Sequence, residues 1–289
     1  MQPGELFDQL LGQPSASPAA DEIAHLASER VVDVCGRREP VTLRREDLAA
    51  CYLPLARTLI NMREADPSRR LLAGVAGCPA AGKSIFALLL AEVINALPES
   101  GGARAAVVPL DGFHHTNAYL ESHFVPGTDT TLREMKGRPD TFDVEAAIRA
   151  FTQLRSPGDE QFLPGYSRRL HEPVEGEIRI GEKDLIVIVE GNFLCMTEKE
   201  SWARLSALLD VKVFLDADRE ECRKRHIRRH VRGGRSPEDA AGHYEVVDRP
   251  NAELIEKTMD AADIVVKNDF GRIRGAGSRS PNRCNENDK

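Results

Sequence analysis

A glycine-rich segment carries the most recognisable chemistry in this sequence. It follows a short apolar run, heads the apolar segment SIFALLLAEVINAL, and consists of Gly77, Cys78, Pro79, Ala80, Ala81, Gly82, Lys83 and Ser84. The spacing GxxxxGK[ST] between such runs is typical of a phosphate-binding loop, since glycines and a helix start turn N–H groups and positive potential toward phosphate. We therefore expect the loop to bind ATP, with Lys83 on the β- and γ-phosphates and Ser84 on Mg²⁺.

Two alternatives accompany this interpretation of the loop. The segment could be a strand-to-helix turn without a ligand, and Cys78 could be a redox-active thiol rather than a small spacer. Spacing, lysine, serine and both flanking runs agree, which favours phosphate binding over a bare turn.

Two carboxylates end apolar, strand-like runs. Asp111 ends the run VVPLD, and Glu190 ends the run LIVIVE. In a parallel sheet the carboxyl ends of the strands meet where ligands bind. Asp111 could accept the proton of a substrate hydroxyl, or it could cap the turn at Gly112. Glu190 could serve Mg²⁺, or it could be a strand-end charge that faces solvent.

A basic cluster lies on a predicted helix that ends at Gly233 and Gly234. The offsets of three, four and seven residues place four arginines on one broad side: Arg225, Arg228, Arg229 and Arg232. This side could close over phosphates as a lid, stay solvated, or form a localisation or nucleic-acid patch. His226 and His230 have the spacing of a zinc-binding helix, but no glutamate lies between them, so zinc is not favoured.

Several motifs in order resemble one known family. The segments GCPAAGKS, PLDGFH, GRPDTFD, PGYSRRLHEPV, IVIVEGNFL and RHIRRHVRGG resemble those of the P-loop kinases that include phosphoribulokinase, uridine kinase and bacterial pantothenate kinase. The likeness is greatest to the fructokinase-like and nucleoside-kinase-like branch, and it covers about Arg69 to Asn268. Several motifs in the right order are more specific than any one of them.

The resemblance implies roles for individual residues. Asp111 takes the place of the family's catalytic acid, and Glu190 that of its Walker B-like acid. The lid arginines correspond to Arg225 and Arg229. The substrate-contacting segment corresponds to Tyr166, Arg168 and His171.

Two departures from the family pattern bear on the substrate. Ser167 stands where many members have an acid, and Arg168 stands where pantothenate kinases have a histidine. These differences disfavour a nucleoside or pantothenate as acceptor. Beside Asp111, His114 could either line the acceptor pocket or stabilise its loop.

Hydrophobic periodicity predicts the elements that position these residues. Short apolar runs predict strands at Leu71–Ala76, Ala105–Leu110, Leu185–Val189, Val211–Leu215 and Ile264–Lys267. Amphipathic segments predict helices at Lys83–Leu97, Val144–Leu154, Glu198–Leu209, Arg219–Arg232 and Pro237–Met259. The alternation predicts an α/β fold, a P-loop NTPase-type parallel sheet flanked by helices, with an Arg-rich lid.

The chain divides into three predicted parts. Residues 1–68 form a helical N-terminal extension, with helices at Asp21–Val34 and Leu43–Met62, and residues 69–271 form the kinase domain. Residues 272–289 are polar and aromatic-free, so we expect a disordered tail. The extension could pack on the core, join a homodimer interface or gate the acceptor site.

Composition excludes several function classes. A net charge of −7 argues against a general nucleic-acid binder. No apolar run is long enough to span a membrane, and the N-terminus lacks a secretory or mitochondrial signal, so we expect a cytoplasmic protein without membrane partners. The six cysteines form no CxxC pair, which indicates reduced thiols.

These observations favour a kinase that uses ATP and Mg²⁺ to phosphorylate a hydroxyl of a small metabolite. The resemblance favours a sugar or sugar-like polyol as the acceptor. The alternatives are a uridine-type or pantothenate kinase, and an ATP-binding regulatory protein without enzymatic activity.

Overall fold

The computed structural model describes residues 2–11, 24–34, 36–270 and 272–278. In chain order the strands are β1 (Glu29–Val34), β2 (Arg37–Thr42), β3 (Leu71–Ala76), β4 (Arg104–Pro109), β5 (Gln161–Ser167), β6 (Glu172–Ile180), β7 (Asp184–Glu190), β8 (Val211–Ala217), β9 (Ile264–Asn268) and β10 (Ile273–Ser278). The α-helices are α1 (Pro3–Leu11), α2 (Leu53–Ala65), α3 (Lys83–Ala96), α4 (Asn117–Ser122), α5 (Val144–Leu154), α6 (Glu200–Ala207), α7 (Arg219–Arg232), α8 (Pro237–His243) and α9 (Arg249–Lys257). Helical turns at Arg45–Asp47 and Leu48–Tyr52 lead into α2, and a turn at Tyr244–Asp248 joins α8 to α9.

A six-stranded sheet in the order β10-β9-β8-β3-β7-β4 forms the centre of the molecule. Its strands are parallel except for β10, which pairs antiparallel with β9 at one edge. Leu71, Ala73 and Val75 of β3 pack on the face covered by α2 and α3, and Leu72 packs on the opposite face with α5, α6 and α9. Because both faces are covered, the strands are nearly continuous apolar runs. The predicted α/β sheet flanked by helices is confirmed.

The element predictions for the core are largely confirmed. The predicted strands correspond to β3, β4, β7, β8 and β9, and the predicted helices to α3, α5, α6 and α7. The long helix predicted from Pro237 is observed as α8, a π-helical turn at Tyr244–Asp248 and α9, and it ends at Lys257. The β5–β6 hairpin was not predicted, because half-exposed, charge-rich β6 lacks the apolar pattern of a core strand. No helix in the described ranges is both long and apolar enough to cross a membrane.

The predicted helix at Asp21–Val34 is wrong over its second half. Residues 29–34 form β1, which pairs antiparallel with β2, and residues 21–23 lie outside the described ranges. Exposure alternates along β1, as in a strand with one covered face. Asp33 Oδ1 accepts a hydrogen bond of 2.8 Å from Gly36 N, and Gly36 has φ +79°, which favours a tight turn. The second predicted helix corresponds to α2 and the turns before it.

The first and the last described elements, α1 and β10, pack on the core. Phe7 of α1 is fully buried, and α1 contacts α2 and β10. The predicted disorder of residues 272–289 is wrong for Ile273–Ser278, which forms β10, and residues 279–289 lie outside the described ranges. The Ile273 amide donates a hydrogen bond of 2.8 Å to Asp47 Oδ1, so this edge strand is also tied to the N-terminal extension.

Candidate active site

The phosphate-binding loop joins β3 to α3 in the predicted place. Gly77, Ala80 and Gly82 have φ values of +149°, +64° and +96°, the backbone region in which successive N–H groups can turn to one side. A Cβ on Gly77 would lie 2.6 Å from the Leu215 carbonyl oxygen, so the loop needs glycine there. Asn268 Nδ2 donates a hydrogen bond of 2.7 Å to the Ala81 carbonyl, which ties the loop to β9. This cradle fits a phosphate group.

Lys83 lies inside the loop. Its Nζ donates hydrogen bonds of 2.9 Å to the Gly77 and Cys78 carbonyls, and the side chain is buried. Burial lowers the pKa of Lys83, although the carboxylates of Glu190 and Asp111 oppose this shift. Phosphate oxygens would be stronger, charged acceptors than the two carbonyls.

Cys78 is a buried spacer in this loop. Its thiol lies 3.7 Å from the Ala252 carbonyl, and burial, followed by Glu256, raises its pKa to about 12. A thiol with a raised pKa is a poor nucleophile, which disfavours the redox alternative. The described cysteines Cys51, Cys78, Cys195 and Cys222 are all free and buried, in agreement with reduced thiols.

Ser84 and Glu190 offer oxygen ligands at the edge of the sheet. The Ser84 hydroxyl donates a hydrogen bond of 2.9 Å to Glu190 Oε1, and the register pairs Glu190 with Val75 at the end of β3. Burial, and then repulsion from Asp111, raise the pKa of Glu190. A hard cation at this point would relieve both effects, and a hydroxyl and a carboxylate are ligands that suit Mg²⁺. The carboxylate is buried, so the solvent-facing alternative does not apply.

Asp111 lies in the turn Leu110–Phe113 that follows β4. Its Oδ2 accepts a hydrogen bond of 2.7 Å from Arg168 Nη2. Burial raises the pKa of Asp111, but Arg168 and then His114 and Lys83 outweigh this, so that its pKa lies below the ordinary value. The His114 amide bonds to the Asp111 backbone oxygen at 3.2 Å, which leaves the carboxylate directed at Arg168 rather than capping the turn.

His114 is part of the loop's core. Its Nδ1 lies 3.0 Å from the Thr141 carbonyl, and its ring stacks on Phe142 with centroids 3.7 Å apart. Burial lowers its pKa to about 4. The Nε2 atom is still 4.0 Å from Asp111 Oδ1. These contacts favour the loop-stabilising alternative for His114, at the border of the acceptor side.

The β5–β6 hairpin brings Tyr166 and Arg168 to Asp111. The guanidinium carbon of Arg168 lies 5.2 Å from the centroid of the buried Tyr166 ring. His171, at φ +53° in the hairpin turn, is exposed, and its carbonyl accepts a hydrogen bond of 2.6 Å from Lys136 Nζ. Sequence reasoning did not single out Lys136, although it immediately precedes the GRPDTFD motif.

Arg229 is the lid arginine that faces the site. Its charge is among those that lower the pKa of Asp111 and of Lys83, after larger effects in each case. Burial, and then repulsion from Arg168, lower the pKa of Arg229 itself to about 10. Arg229 thus lies where it can neutralise charge between the loop and Asp111.

The other three arginines of the predicted basic side have different partners. Arg225, predicted to be catalytic, stacks on Phe270 with its guanidinium carbon 4.4 Å from the ring centroid. Arg228 and Arg232 are exposed and pair with acids at the surface. The predicted basic side therefore divides into one inward arginine, one arginine that packs on an aromatic ring, and a solvated part.

A buried network holds Arg229. Arg229 Nη2 lies 3.1 Å from His226 Nδ1, and His226 Nε2 lies 2.9 Å from both Asp248 Oδ2 and His230 Nε2. Since arginine can only donate, His226 carries its proton on Nε2, which then faces Asp248. Asp248 adds a third possible metal ligand to the two histidines. The adjacent cation and the proton on Nε2 oppose a divalent ion there, so the network positions Arg229.

The N-terminal hairpin forms one wall of the cleft. A cavity of about 230 Å³ lies between the β1–β2 turn, with Asp33 and Gly36, and the opposite residues Ser84, Tyr166 and Glu190. Of the three roles considered for the extension, packing on the core is observed, and the homodimer interface and the gate of the acceptor site stay predictions.

The chain is similar to several known proteins. Residues 72–269 match the model of the Phosphoribulokinase / Uridine kinase family. The uncharacterized protein YggC of Escherichia coli is 30% identical over 234 residues, which cover 81% of this chain and 93% of YggC. A pantothenate kinase of Corynebacterium diphtheriae is 28% identical over 83% of this chain and 81% of its own length. The crystal structure of a candidate fructose transport system kinase from Silicibacter sp. TM1040 has a TM-score of 0.59 and 29% identity, and the match covers 69% of this chain and 94% of that one.

Proposed function

Because the chain belongs to the phosphoribulokinase/uridine kinase family, we propose that it transfers the γ-phosphate of ATP to a hydroxyl of a small metabolite. The observation that carries this proposal is the convergence of Lys83, the Ser84–Glu190 pair and Asp111 at the carboxyl edge of one sheet. Positioning and charge neutralisation are the main contributions that a protein makes to phosphoryl transfer.

The loop and its neighbours bind the nucleotide in this proposal. The N–H groups of residues 77–84 hold the phosphates, and Lys83 exchanges its two carbonyl partners for the β- and γ-phosphates. Ser84 and Glu190 would hold Mg²⁺, which neutralises phosphate charge when bound. Arg229, held by His226, adds a further positive charge on the lid side.

Asp111 is the proposed general base. Its carboxylate accepts the proton of the acceptor hydroxyl while that oxygen bonds to the γ-phosphorus. The bond from the γ-phosphorus to its bridging oxygen breaks, and ADP leaves with that electron pair. Neighbouring cations keep Asp111 ionised, so it is ready to accept a proton at neutral pH.

The proposed acceptor is a sugar or sugar-like polyol. Support comes from the 29% identity to the candidate fructose transport system kinase. The absence of an acid at Ser167 and the presence of Arg168 in place of a histidine count against uridine and pantothenate, although a pantothenate kinase is among the relatives. The sugar assignment therefore rests on similarity and on these two positions.

Acceptor-dependent release of ADP tests the proposal. Full-length protein with MgATP is offered ketoses, aldoses, polyols, their acids and phosphates, nucleosides and pantothenate, and Lys83→Ala serves as the control. We expect one acceptor class to raise turnover in the wild type alone. Tight nucleotide binding without acceptor-dependent turnover would instead support an ATP-binding regulatory protein.

A further inference from the structure

Asp111 lies between two groups of cations. On the side of the phosphate-binding loop, the charges of Asp111 and Arg229 both shift the pKa of Lys83. On the side of the β5–β6 hairpin, the charges of Asp111 and Arg168 both shift the pKa of Lys136. An acceptor with its hydroxyl at Asp111 faces the γ-phosphate on the loop side. The rest of the acceptor then extends toward Arg168 and Lys136.

Arg168 and Lys136 come from different segments and meet over one aromatic ring. The Arg168 guanidinium carbon and Lys136 Nζ lie 5.2 and 5.3 Å from the Tyr166 centroid. Hydrogen bonds from Lys136 Nζ to the His171 carbonyl, at 2.6 Å, and to Asn117 Oδ1, at 3.2 Å, hold the ammonium group. Both cations are thus fixed in place around a buried aromatic floor.

Positively charged side chains are concentrated here. Burial, and then the charges of Arg133, Arg168, Lys136 and Arg37, lower the pKa of His171. The acids close to this group are Asp111, Glu172 and, at 3.8 Å from Arg133, Glu121. Burial, and then Arg133, lower the pKa of Lys136 to about 8. Crowding like charges beside a partly buried lysine is unfavourable without an anionic ligand, and such clusters in clefts are typical of binding sites.

We infer that the acceptor carries an anionic group, a carboxylate or a phosphate, beside the hydroxyl that is phosphorylated, and that Lys136 and Arg168 bind this group over Tyr166. This inference rests on the proposed function and narrows its acceptor from a neutral sugar to a sugar-type acid or phosphate. A planar guanidinium matches either anion with two parallel hydrogen bonds, and the ammonium adds a point charge.

The inference also gives the ion pair between Arg168 and Asp111 a role. With Arg168 on its carboxylate at 2.7 Å, Asp111 is a weaker base than a carboxylate without that partner. An anion on the acceptor competes for Arg168 and releases a carboxylate oxygen for the hydroxyl. Binding of the correct acceptor thereby prepares the base.

The test compares matched compounds on the full chain. Glycerol, glycerate and glycerol phosphate form one set, and glucose, gluconate and glucose phosphate form another. ADP release measures transfer, and calorimetry with a non-hydrolysable MgATP analogue measures binding. The variants are Lys136→Met, Lys136→Arg and, as a matched control, Lys183→Met, which changes an exposed lysine in the turn before β7.

We expect the acidic members to bind and to be phosphorylated in preference to the neutral ones. Lys136→Met should lower kcat/KM or affinity for them by about 30-fold, equivalent to about 2 kcal/mol. Lys136→Arg should restore most of the lost kcat/KM or affinity, and Lys183→Met should match the wild type. The carboxylate and phosphate arms identify which anion fits.

Each of the other outcomes overturns either the inference or the proposed function. Phosphorylation of the neutral members with equal or higher kcat/KM overturns the inference and leaves the kinase standing. Acidic members that bind in a Lys136-dependent manner, but are not phosphorylated, support the anion site and contradict the proposed function. Acidic members that fail to bind, or that bind equally to Lys136→Met, overturn the inference.

Discussion

Arg168 Nη2 and Asp111 Oδ2 lie 2.7 Å apart, although one follows β5 and the other follows β4. The contact depends on Gly112, because a Cβ there would lie 2.2 Å from the Pro164 carbonyl oxygen. The β4 turn and β5 therefore touch through their backbones, and this brings Asp111, the proposed base, and Arg168 together. The ion pair lowers the pKa of Asp111.

The pH profile of the reaction should report this ion pair. Burial raises the pKa of Asp111, and Arg168 is the largest of the influences that lower it. Arg168→Met removes the cation and leaves the burial, so the pKa of Asp111 should rise. The acid limb of kcat/KM should then move to higher pH, apart from any fall in the plateau. Arg204→Met, at an exposed arginine paired with Glu145, is the control, and an unmoved limb in Arg168→Met would contradict the assignment.

Asp111→Asn should separate nucleotide binding from transfer. The amide keeps the size of the side chain but accepts a proton far less readily than a carboxylate does. Loss of a general base typically costs about 10²–10⁴ in rate, so kcat should fall within that range while nucleotide affinity, measured by calorimetry, is retained. Asp129→Asn on an exposed loop is the control. Unchanged transfer by Asp111→Asn would refute the base assignment.

Sequence patterns predicted the central sheet well because its strands are buried on both faces. Runs such as LLAGVA and LIVIVE cannot lie at a surface without exposing apolar residues, so β3 and β7 were found with their ends nearly correct. The β1–β2 and β5–β6 hairpins were not predicted, for the opposite reason. β1 and β6 are half-exposed and charged, and their pairing depends on contacts with distant segments.

The candidate site residues that lie at the ends of strands could be predicted from the sequence. Glu190 ends β7 and Asp111 lies two residues after β4, which places both at one edge of the sheet. Lys136 follows no such pattern, because it reaches the site from a long loop. The different partners of the α7 arginines could not be predicted either, because residue spacing places side chains on one side of a helix but does not say what they contact.

The imidazole of His114 should make stability depend on pH. Burial lowers its pKa to about 4, against about 6.5 in the unfolded chain. Between these pH values the unfolded state therefore binds more protons than the folded state. The stability that His114 contributes is complete above about pH 6.5 and is lost as the pH falls toward 4. For this group the loss from pH 8 to pH 5 is about 2 kcal/mol.

Denaturant unfolding at both pH values measures this contribution. His114→Asn retains a donor for the Thr141 carbonyl but does not titrate in this range. Between pH 8 and pH 5, the free energy of unfolding of His114→Asn should fall by about 2 kcal/mol less than that of the wild type. The exposed His123→Asn serves as the control and should keep the wild-type dependence. Equal pH dependence in all three proteins would contradict the buried neutral state of His114.

Gly112→Ala should disrupt both stability and turnover. The added methyl group meets the Pro164 carbonyl oxygen at 2.2 Å, and backbone atoms on both sides cannot rotate away. We expect a loss of about 1–3 kcal/mol in the free energy of unfolding, and reduced kcat as Asp111 moves from Arg168. Gly242→Ala in α8 is the counterpart, because the structure describes no atom within 4 Å of its added Cβ, and helix propensity predicts a small gain there. Equal stabilities of the two variants would refute this account of Gly112.

Asp248 should influence transfer through His226 and Arg229. The carboxylate fixes the Nε2 proton of His226, so that Nδ1 is left to accept from Arg229 at 3.1 Å. Asp248→Ala removes this orientation, and kcat should fall about tenfold or more with little change in KM for ATP. Asp248→Asn keeps an acceptor for the His226 proton and should restore most of the rate.

A double-mutant cycle distinguishes this positioning role from general destabilisation. If Asp248 acts through Arg229, Asp248→Ala should have little further effect on kcat in an Arg229→Ala background. Melting temperatures of all four proteins show whether folding contributes. Additive losses in kcat would mean that the two residues act separately, and the network of Asp248, His226 and Arg229 would then hold the helix in place without positioning the arginine.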